Sequence, residues 1–219
     1  QEYFKYCFFN IFSFYYIYSN VFIFFKFNFK KIINIKQLSI PNVILIEPQV
    51  FDDERGFFFE AFNQQDFENA IKRNVNFVQD NHSRSIKGVL RGLHMQNFPY
   101  AQEKLIRVVN GKIFDVAVDL REGSKTFGCW IGEILSSDNK KQLWIPEGFA
   151  HGFLCLSDYA DVVYKTNNYY AKDYEVSINP IDQNLGIKWP VVDNIILSKK
   201  DANGLSFQDF RKVKINLSK

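Results

Sequence analysis

The feature that most constrains the fold of this chain is a series of short stretches in which apolar and polar residues alternate, with turn residues between them. Because successive side chains of a β-strand point to opposite faces, a period of two indicates a strand with one buried face. Several short strands at regular spacing are typical of a sandwich or barrel. We therefore predict one all-β domain, whose clearest strands are residues 105–109, 112–120, 130–135, 142–145, 152–156 and 161–166.

The dipeptide Asn110-Gly111 lies between the first two of these stretches. A type I′ turn needs positive φ at both central positions, and Asn followed by Gly satisfies that need. We therefore expect the two stretches to pair as a hairpin. Alternation in the second stretch puts Phe114, Val116, Val118 and Leu120 on one face, and Ile113, Asp115, Ala117 and Asp119 on the other.

Short helices are expected only at the periphery of the domain. Asn63 can cap a helix that ends near Arg73, and Asp66, three residues after the cap, forms a variant of the capping box. The apolar face of this helix is formed by Phe67, Ala70 and Ile71. From residue 179 onward the periodicity weakens, and we expect loops with one short helix that wrap the sheet.

Aromatic residues make up 17% of the chain, and residues 1–31 hold ten of the 24 Phe and five of the 11 Tyr. Three interpretations of this segment compete: a transmembrane or signal-anchor helix, an aromatic-rich β extension, and translated upstream sequence that is not a native part of the domain. The restricted alphabet of Phe, Tyr, Ile, Asn, Lys and Ser favours the third, because AT-rich codons give such a composition. We expect the working domain to span residues 32–219.

The charge and cysteine content narrow the class of partner. Lys and Arg exceed Asp and Glu by 27 − 24 = 3, and residues 1–31 carry this surplus with four Lys against one Glu. A neutral domain does not favour nucleic acid or a membrane as the main partner, so we expect a small-molecule ligand. Cys7, Cys129 and Cys155 form no disulfide or zinc motif, which favours a reducing cytoplasm.

Two polar segments hold the three histidines of the chain. Residues 79–96 contain His82, Arg91 and His94, and residues 144–153 contain His151. The spacing of Arg91, His94 and Gln96 spreads them over both faces of a strand end, so they can share one cavity only where the backbone bends.

These segments resemble the two signatures of the cupin proteins. Pro146-x-Gly148-x-x-His151 resembles the second signature, and the His94 region resembles the first, in which metal-binding cupins carry a His-x-His pair. Here the second position of that pair is Gln96. Two histidines from different strands without a third ligand make a poor metal site, so we expect no metal.

A more specific resemblance follows from motifs that run in order from Ile40 to Asp201. Together they are similar to the dTDP-4-dehydrorhamnose 3,5-epimerase family. The resemblance implies a cupin-type β jelly-roll barrel with short peripheral helices, and an isomerase of the rhamnose pathway that works as a homodimer without a cofactor. The motifs are Arg91-Gly-Leu-His94-x-Gln, Gln102-x-Lys104-Leu, Asp115-Val-Ala-Val-Asp119-Leu-Arg, Thr126-Phe-Gly, the run from Gln142 to Phe153, Tyr164-Lys, Asn168-Tyr-Tyr170 and Ser198-x-Lys-Asp201.

The resemblance also implies the catalytic roles. Inverting a carbon next to a ketone requires a base, a donor that stabilises the enolate, and an acid across the ring. His94 matches the base, since imidazole can accept a proton at neutral pH, and Asp201 matches the aspartate that orients it. Tyr164 matches the general acid, and Lys104 matches the lysine beside the sugar carbonyl.

Substrate-binding positions are implied in the same way. Tyr170 matches an aromatic that stacks on thymine, and basic side chains suit the diphosphate. The strand that holds Arg55 and Glu60 reaches the site of the partner subunit in that family. The full implied set is Arg55, Glu60, Gln79, Asn81, Arg91, His151, Tyr170, Glu175 and Lys200.

Two other functions stay open at this point. Related enzymes on this fold epimerise a single carbon or move the ketone of a dTDP-4-ketosugar. A non-catalytic cupin that binds sugars is the alternative from a different class. The combination of His94, Lys104, Tyr164 and Asp201 favours double epimerisation.

Overall fold

The computed structural model describes residues 14–18, 21–25 and 33–212. The chain divides into two units, Gln1–Ile32 and Ile33–Lys219. In the first unit the described residues form two antiparallel strands, β1 (Phe14–Tyr18) and β2 (Val21–Phe25). This pairing corresponds to the β alternative for residues 1–31, most of which lie outside the described residues. No helix in the described part of the chain is long and apolar enough to span a membrane.

Over its described residues, 33–212, the second unit contains thirteen strands and a few short helices. Its strands are β3 (Ile33–Gln37), β4 (Ile44–Pro48), β5 (Val50–Asp53), β6 (Gly56–Phe59), β7 (Gln79–Ile86), β8 (Leu90–Gln96), β9 (Lys104–Asn110), β10 (Lys112–Asp119), β11 (Trp130–Ser136), β12 (Gln142–Ile145), β13 (Phe149–Cys155), β14 (Tyr159–Thr166) and β15 (Glu175–Ser177). Its helices are α1 (Gln64–Ile71), α2 (Lys199–Ala202), α3 (Phe207–Lys212) and a 3₁₀ turn at Lys172–Tyr174.

Two antiparallel sheets make up the body of this unit. One has six strands in the order β3-β4-β12-β9-β14-β7, and the other has five in the order β11-β10-β13-β8-β15. Leu45, Ile106 and Leu143 of the first sheet pack in one core with Ile113 and Phe153 of the second. The predicted all-β class is therefore confirmed, as two sheets packed face to face and not as a closed barrel.

The predicted hairpin at Asn110-Gly111 is wrong. β9 pairs with β12 and β14, whereas β10 pairs with β11 and β13, so the two strands lie in different sheets. Only Gly111 has positive φ, at 78°, and a Cβ there would lie 2.1 Å from the carbonyl oxygen of Tyr159. The glycine is therefore needed where the chain crosses from one sheet to the other, and not for a type I′ turn.

The alternation predicted for β10 is confirmed, and both of its faces are covered. Ile113 and Ala117 point into the core between the sheets, while Val116 and Val118 pack under the C-terminal segment. That segment wraps the five-stranded sheet as expected, although it contains two short helices instead of one. Leu185, Phe207 and Phe210 of this segment, with Ile178 just before it, pack on the sheet.

The helix predicted after Asn63 is confirmed as α1. The Asn63 side chain accepts a hydrogen bond from the backbone N–H of Asp66 at 3.2 Å, as an N-cap should. Phe67 is buried and meets the ring of Trp144 edge-on, with 6.0 Å between the ring centroids. The helix therefore covers the outer face of the six-stranded sheet and leaves the space between the sheets to other residues.

Candidate active site

The candidate site lies where β8 and β13 pair irregularly. His94 is opposite His151, but the register shifts between His151 and Phe153, so that Phe153 is opposite Arg91. The backbones approach closely there, because a Cβ on Gly92 would lie 2.6 Å from the Cα of Gly152. This bulge is the bend that the spacing of Arg91 and His94 required.

His94 forms a close pair with a residue distant in sequence. Its Nε2 lies 2.6 Å from Oδ1 of Asp201, which is buried while the imidazole is partly exposed. Asp201 sits in the first turn of α2, where its N–H donates to the Ser198 hydroxyl at 3.0 Å. Burial alone would raise the pKa of Asp201, but the hydrogen bond and charge of His94 outweigh it and the pKa is lowered. The carboxylate is therefore ionised beside the ring.

Lys104 lies beside this pair and is buried. It is the first residue of β9, and its Nζ donates to the backbone carbonyl of His94 at 3.3 Å. Burial lowers its pKa to about 8, against the attraction of Glu175 and Asp115. An ammonium buried in this way is a fixed donor that water screens little.

A second His–Asp pair lies beside the first, on the neighbouring strands of the same sheet. Nε2 of His151 lies 2.7 Å from Oδ1 of Asp115, and both side chains are buried. Burial lowers the pKa of His151, although Asp115 opposes the shift, so the ring is neutral at neutral pH. Oδ2 of Asp115 has no hydrogen-bond partner among the described residues.

Asp115 is a site residue that the sequence reasoning missed. A carboxylate on the core-facing side of β10, between Ile113 and Ala117, was the available signal. Buried carboxylates are rare unless they are paired, so this position should have suggested a partner. The sequence did not identify that partner as His151.

Tyr164 of β14 packs against the core and is half-buried. Burial and the charge of Glu175 raise its pKa, while Arg91 lowers it. The phenol therefore keeps its proton at neutral pH and can donate it. Arg91 is held nearby by bonds from its Nε to the Ser85 hydroxyl, at 2.9 Å, and from Nη2 to the carbonyl of Arg84, at 3.0 Å.

Several of the predicted binding residues form one network. Glu175 accepts from the hydroxyl of Tyr170 at 2.9 Å and from Nζ of Lys200 at 2.6 Å. Gln79 accepts from the backbone N–H of Tyr170 at 3.0 Å and donates to Asn81 at 2.9 Å. Burial alone would raise the pKa of Glu175, but the hydrogen bond and charge of Lys200 oppose it. The net effect is a lowered pKa.

Arg55 and Glu60 are not brought into these networks. Arg55 sits at the tip of the β5–β6 hairpin and forms an ion pair with Asp53. Glu60 follows β6, and its buried Oε1 has no hydrogen-bond partner in the described residues. Within those residues no group of three His, Cys, Asp or Glu side chains is arranged to hold a metal ion.

Solved structures similar to this chain are epimerases of sugar nucleotides. A solved epimerase from Legionella pneumophila, in complex with dTDP-4-keto-L-rhamnose, is 49% identical with a TM-score of 0.78, covering 81% of this chain and 93% of its own. A 3′-monoepimerase from Streptomyces bikiniensis, in complex with dTDP-quinovose, is 34% identical with a TM-score of 0.77, covering 80% of this chain and 88% of its own. The class is thus the cupin-type sugar-nucleotide epimerases, as predicted.

The family model of dTDP-4-dehydrorhamnose 3,5-epimerase matches residues 37–209. The enzyme of that name from Shigella flexneri is 60% identical over 176 residues, which are 80% of this chain and 97% of the relative. Its counterpart from Pseudomonas aeruginosa is 57% identical over 173 residues, which are 79% of this chain and 95% of the relative. The chain belongs to the dTDP-4-dehydrorhamnose 3,5-epimerase family.

Proposed function

We propose that this protein is an isomerase that converts dTDP-4-dehydro-6-deoxy-D-glucose to dTDP-4-dehydro-L-rhamnose by epimerisation at C3 and C5, as a step of dTDP-L-rhamnose biosynthesis. The observation that carries the proposal is the His94–Asp201 pair with Lys104 hydrogen-bonded to the same backbone, in a chain of this family. Incubation with this substrate in deuterium oxide tests the proposal, because deuterium should enter the product at both C3 and C5.

Proton removal is assigned to His94. Its Nε2 is engaged with Asp201, so Nδ1 is the ring nitrogen left to take the proton from the carbon next to the ketone. The carboxylate of Asp201 then stabilises the imidazolium as it forms. The electron pair of the broken C–H bond moves to the ketone oxygen, where the Lys104 ammonium stabilises the enolate.

Reprotonation from the opposite face is assigned to Tyr164. A phenylalanine at this position lacks the proton donor, so we expect Tyr164→Phe to form product about 10²-fold more slowly. Exchange of the substrate's C–H protons with solvent should persist, because His94 is unchanged. Product formation and deuterium exchange would be measured on the same sample. If exchange falls as much as product formation does, Tyr164 is not the acid.

A second function, epimerisation of one carbon only, is favoured by one observation. The monoepimerase from Streptomyces bikiniensis has nearly the same TM-score as the double epimerase from Legionella pneumophila. The fold therefore serves both reactions. The complete set of His94, Lys104, Tyr164 and Asp201 supports the double epimerase.

We also propose a homodimer in which Arg55 and Glu60 complete the site of the partner. Support comes from the hairpin that carries Arg55, where Phe57 and Phe58 are 57% and 70% exposed. Exposed aromatic side chains on a protruding element are typical of an interface. Glu60 carries a buried Oε1 without a hydrogen-bond partner among the described residues, and a turn of this side chain on assembly would let a group of the partner pair with it.

Mixing two impaired variants tests this arrangement. His94→Ala removes the base of its own site, and Arg55→Ala weakens only the site of the partner. A mixed dimer then contains one site with both residues, so activity should rise when the two are unfolded and refolded together. Separately refolded samples serve as the control. Absence of recovery, with mixed dimers demonstrated, would contradict the shared site.

For the domain boundary we propose that residues 32–219 suffice for folding and activity. The second unit begins at Ile33 and contains every residue of the candidate site. Deletion of residues 1–31 is expected to leave Tm and kcat/KM unchanged. Deletion of residues 1–48 should lower Tm, because it removes the buried side chains of Ile44, Leu45 and Ile46. Loss of folding in the shorter deletion would refute the boundary.

We place the reaction in the cytoplasm. Cys129 and Cys155 are both free thiols in the structure. Unbridged cysteines suit a reducing compartment.

A further inference from the structure

Gln96, the last residue of β8, has no role in the mechanism above although it is nearly inaccessible to solvent, with 4% exposed. It occupies the position at which metal-binding cupins carry the second histidine of a His-x-His pair. A buried amide needs hydrogen-bond partners, because leaving its donor and acceptor unpaired away from water is destabilising. The partners of Gln96 therefore indicate what the side chain does here.

All of these partners are backbone groups of two loops. The Gln96 amide nitrogen donates to the carbonyls of Tyr100, at 2.6 Å, and Tyr169, at 3.1 Å. Its amide oxygen accepts from the N–H of Ala171 at 2.8 Å. Two of the three bonds therefore go to the residues on either side of Tyr170, which are Tyr169 and Ala171.

The segment around Tyr170 depends on side chains for its shape. Residues 167–171 belong to no strand or helix, so no ladder of backbone bonds fixes them. The N–H of Tyr170 itself donates to Gln79, and its hydroxyl donates to Glu175. The ring is 55% exposed, with its backbone fixed on both sides by Gln96.

We propose that Gln96 is a positioning residue that fixes the backbone on both sides of Tyr170 and so sets the affinity of the site for the base of the nucleotide. The inference rests on the proposed function and on the stacking on thymine that the family resemblance implies for Tyr170. An aromatic platform that is already ordered loses less conformational entropy on binding than one that the ligand must order. Although Gln96 is only two residues from His94 on β8, all of its hydrogen bonds go to loop backbone and none goes to a proton-transfer group, so it should act on binding and not on chemistry.

The test is the affinity for dTDP, measured by titration calorimetry, beside kcat at saturating substrate. Gln96→Met keeps the approximate length of the side chain and removes all three bonds. We expect Kd for dTDP to rise about tenfold, which corresponds to about 1.4 kcal/mol of binding free energy. This loss is the cost of ordering the Tyr170 segment when the ligand binds. kcat should stay within about twofold of the unmodified protein.

Gln102→Met is the matched control. Gln102 donates to the carbonyl of Asn168 at 2.8 Å, so it ties down the same loop without holding either neighbour of Tyr170. Its replacement should leave Kd nearly unchanged. Gln96→Glu is the second variant if Gln96→Met does not fold, because it keeps the acceptor for Ala171 but opposes the carbonyls of Tyr100 and Tyr169. It should weaken dTDP binding in the same direction.

The decisive comparison is made in a Tyr170→Ala background. If Gln96 acts through Tyr170, adding Gln96→Met there should weaken dTDP binding no further. Equal losses in both backgrounds, or a fall in kcat with Kd unchanged, would overturn the proposal. Turnover by the unmodified protein tests the proposed function separately. If the unmodified protein turns over substrate but neither Gln96→Met nor Gln96→Glu changes Kd for dTDP, only the positioning role is refuted. Absence of dTDP binding by the unmodified protein would overturn both.

Discussion

His94→Ala is expected to lower kcat by about 10⁴-fold, the largest effect of any single substitution in this protein. The substitution removes the only group assigned to take the substrate proton, and it leaves the ionised Asp201 buried without its partner. Exchange at both carbons should be lost together, because the same base serves both. The rate of deuterium uptake measures this directly.

His82→Ala provides a matched control. His82 also lies near an aspartate, with Nε2 3.3 Å from Oδ1 of Asp161, but its side chain is 59% exposed. Its replacement should leave kcat unchanged. Full activity in His94→Ala would show that the base is another residue.

Lys104→Met is expected to lower kcat by about 10²–10³-fold, the range for loss of one fixed donor to a developing oxyanion. Methionine fills much of the same buried volume, so the loss should come from the charge and not from a cavity. Lys165→Met is the control, since Lys165 lies on the neighbouring strand and forms an exposed ion pair with Asp80. Comparable losses in the two variants would contradict the assignment.

The pKa of Lys104 determines how kcat should change at alkaline pH. Burial lowers its pKa to about 8, with Glu175 and Asp115 opposing the shift and Lys200 adding to it. The ammonium is the active form and its fraction falls as pH rises through that value. kcat should therefore decline above about pH 8, and the decline that belongs to Lys104 should be absent in Lys104→Met.

The fold was largely predictable because its cause is local. The period of two in β10 and the cap at Asn63 are properties of neighbouring residues, and the strand and helix follow from them. Asn110-Gly111 was misassigned because positive φ at one glycine suits both a hairpin and a crossing between sheets. Which strand pairs with which depends on packing across the whole chain, as β9 and β10 illustrate.

The candidate site was less accessible to sequence reasoning. His94 and Asp201 are 107 residues apart, and no periodicity relates them. Only the resemblance to a family put them together. It included Asp115 in a motif without assigning a role to that residue, and it did not indicate the loop bonds of Gln96. The Asp115–His151 contact depends on the pairing of β10 with β13, and the bonds of Gln96 depend on irregular loops, neither of which a local residue pattern specifies. The catalytic roles of the site residues remain predictions.

The central claim is double epimerisation through enolates, and one incubation tests it most directly. The pure protein would be incubated with dTDP-4-dehydro-6-deoxy-D-glucose in deuterium oxide, and the sugar would be examined by NMR. We predict deuterium at both C3 and C5 of a product with the L-rhamno configuration. Deuterium at one carbon alone would identify the narrower epimerase, and deuterium at neither carbon would contradict the account.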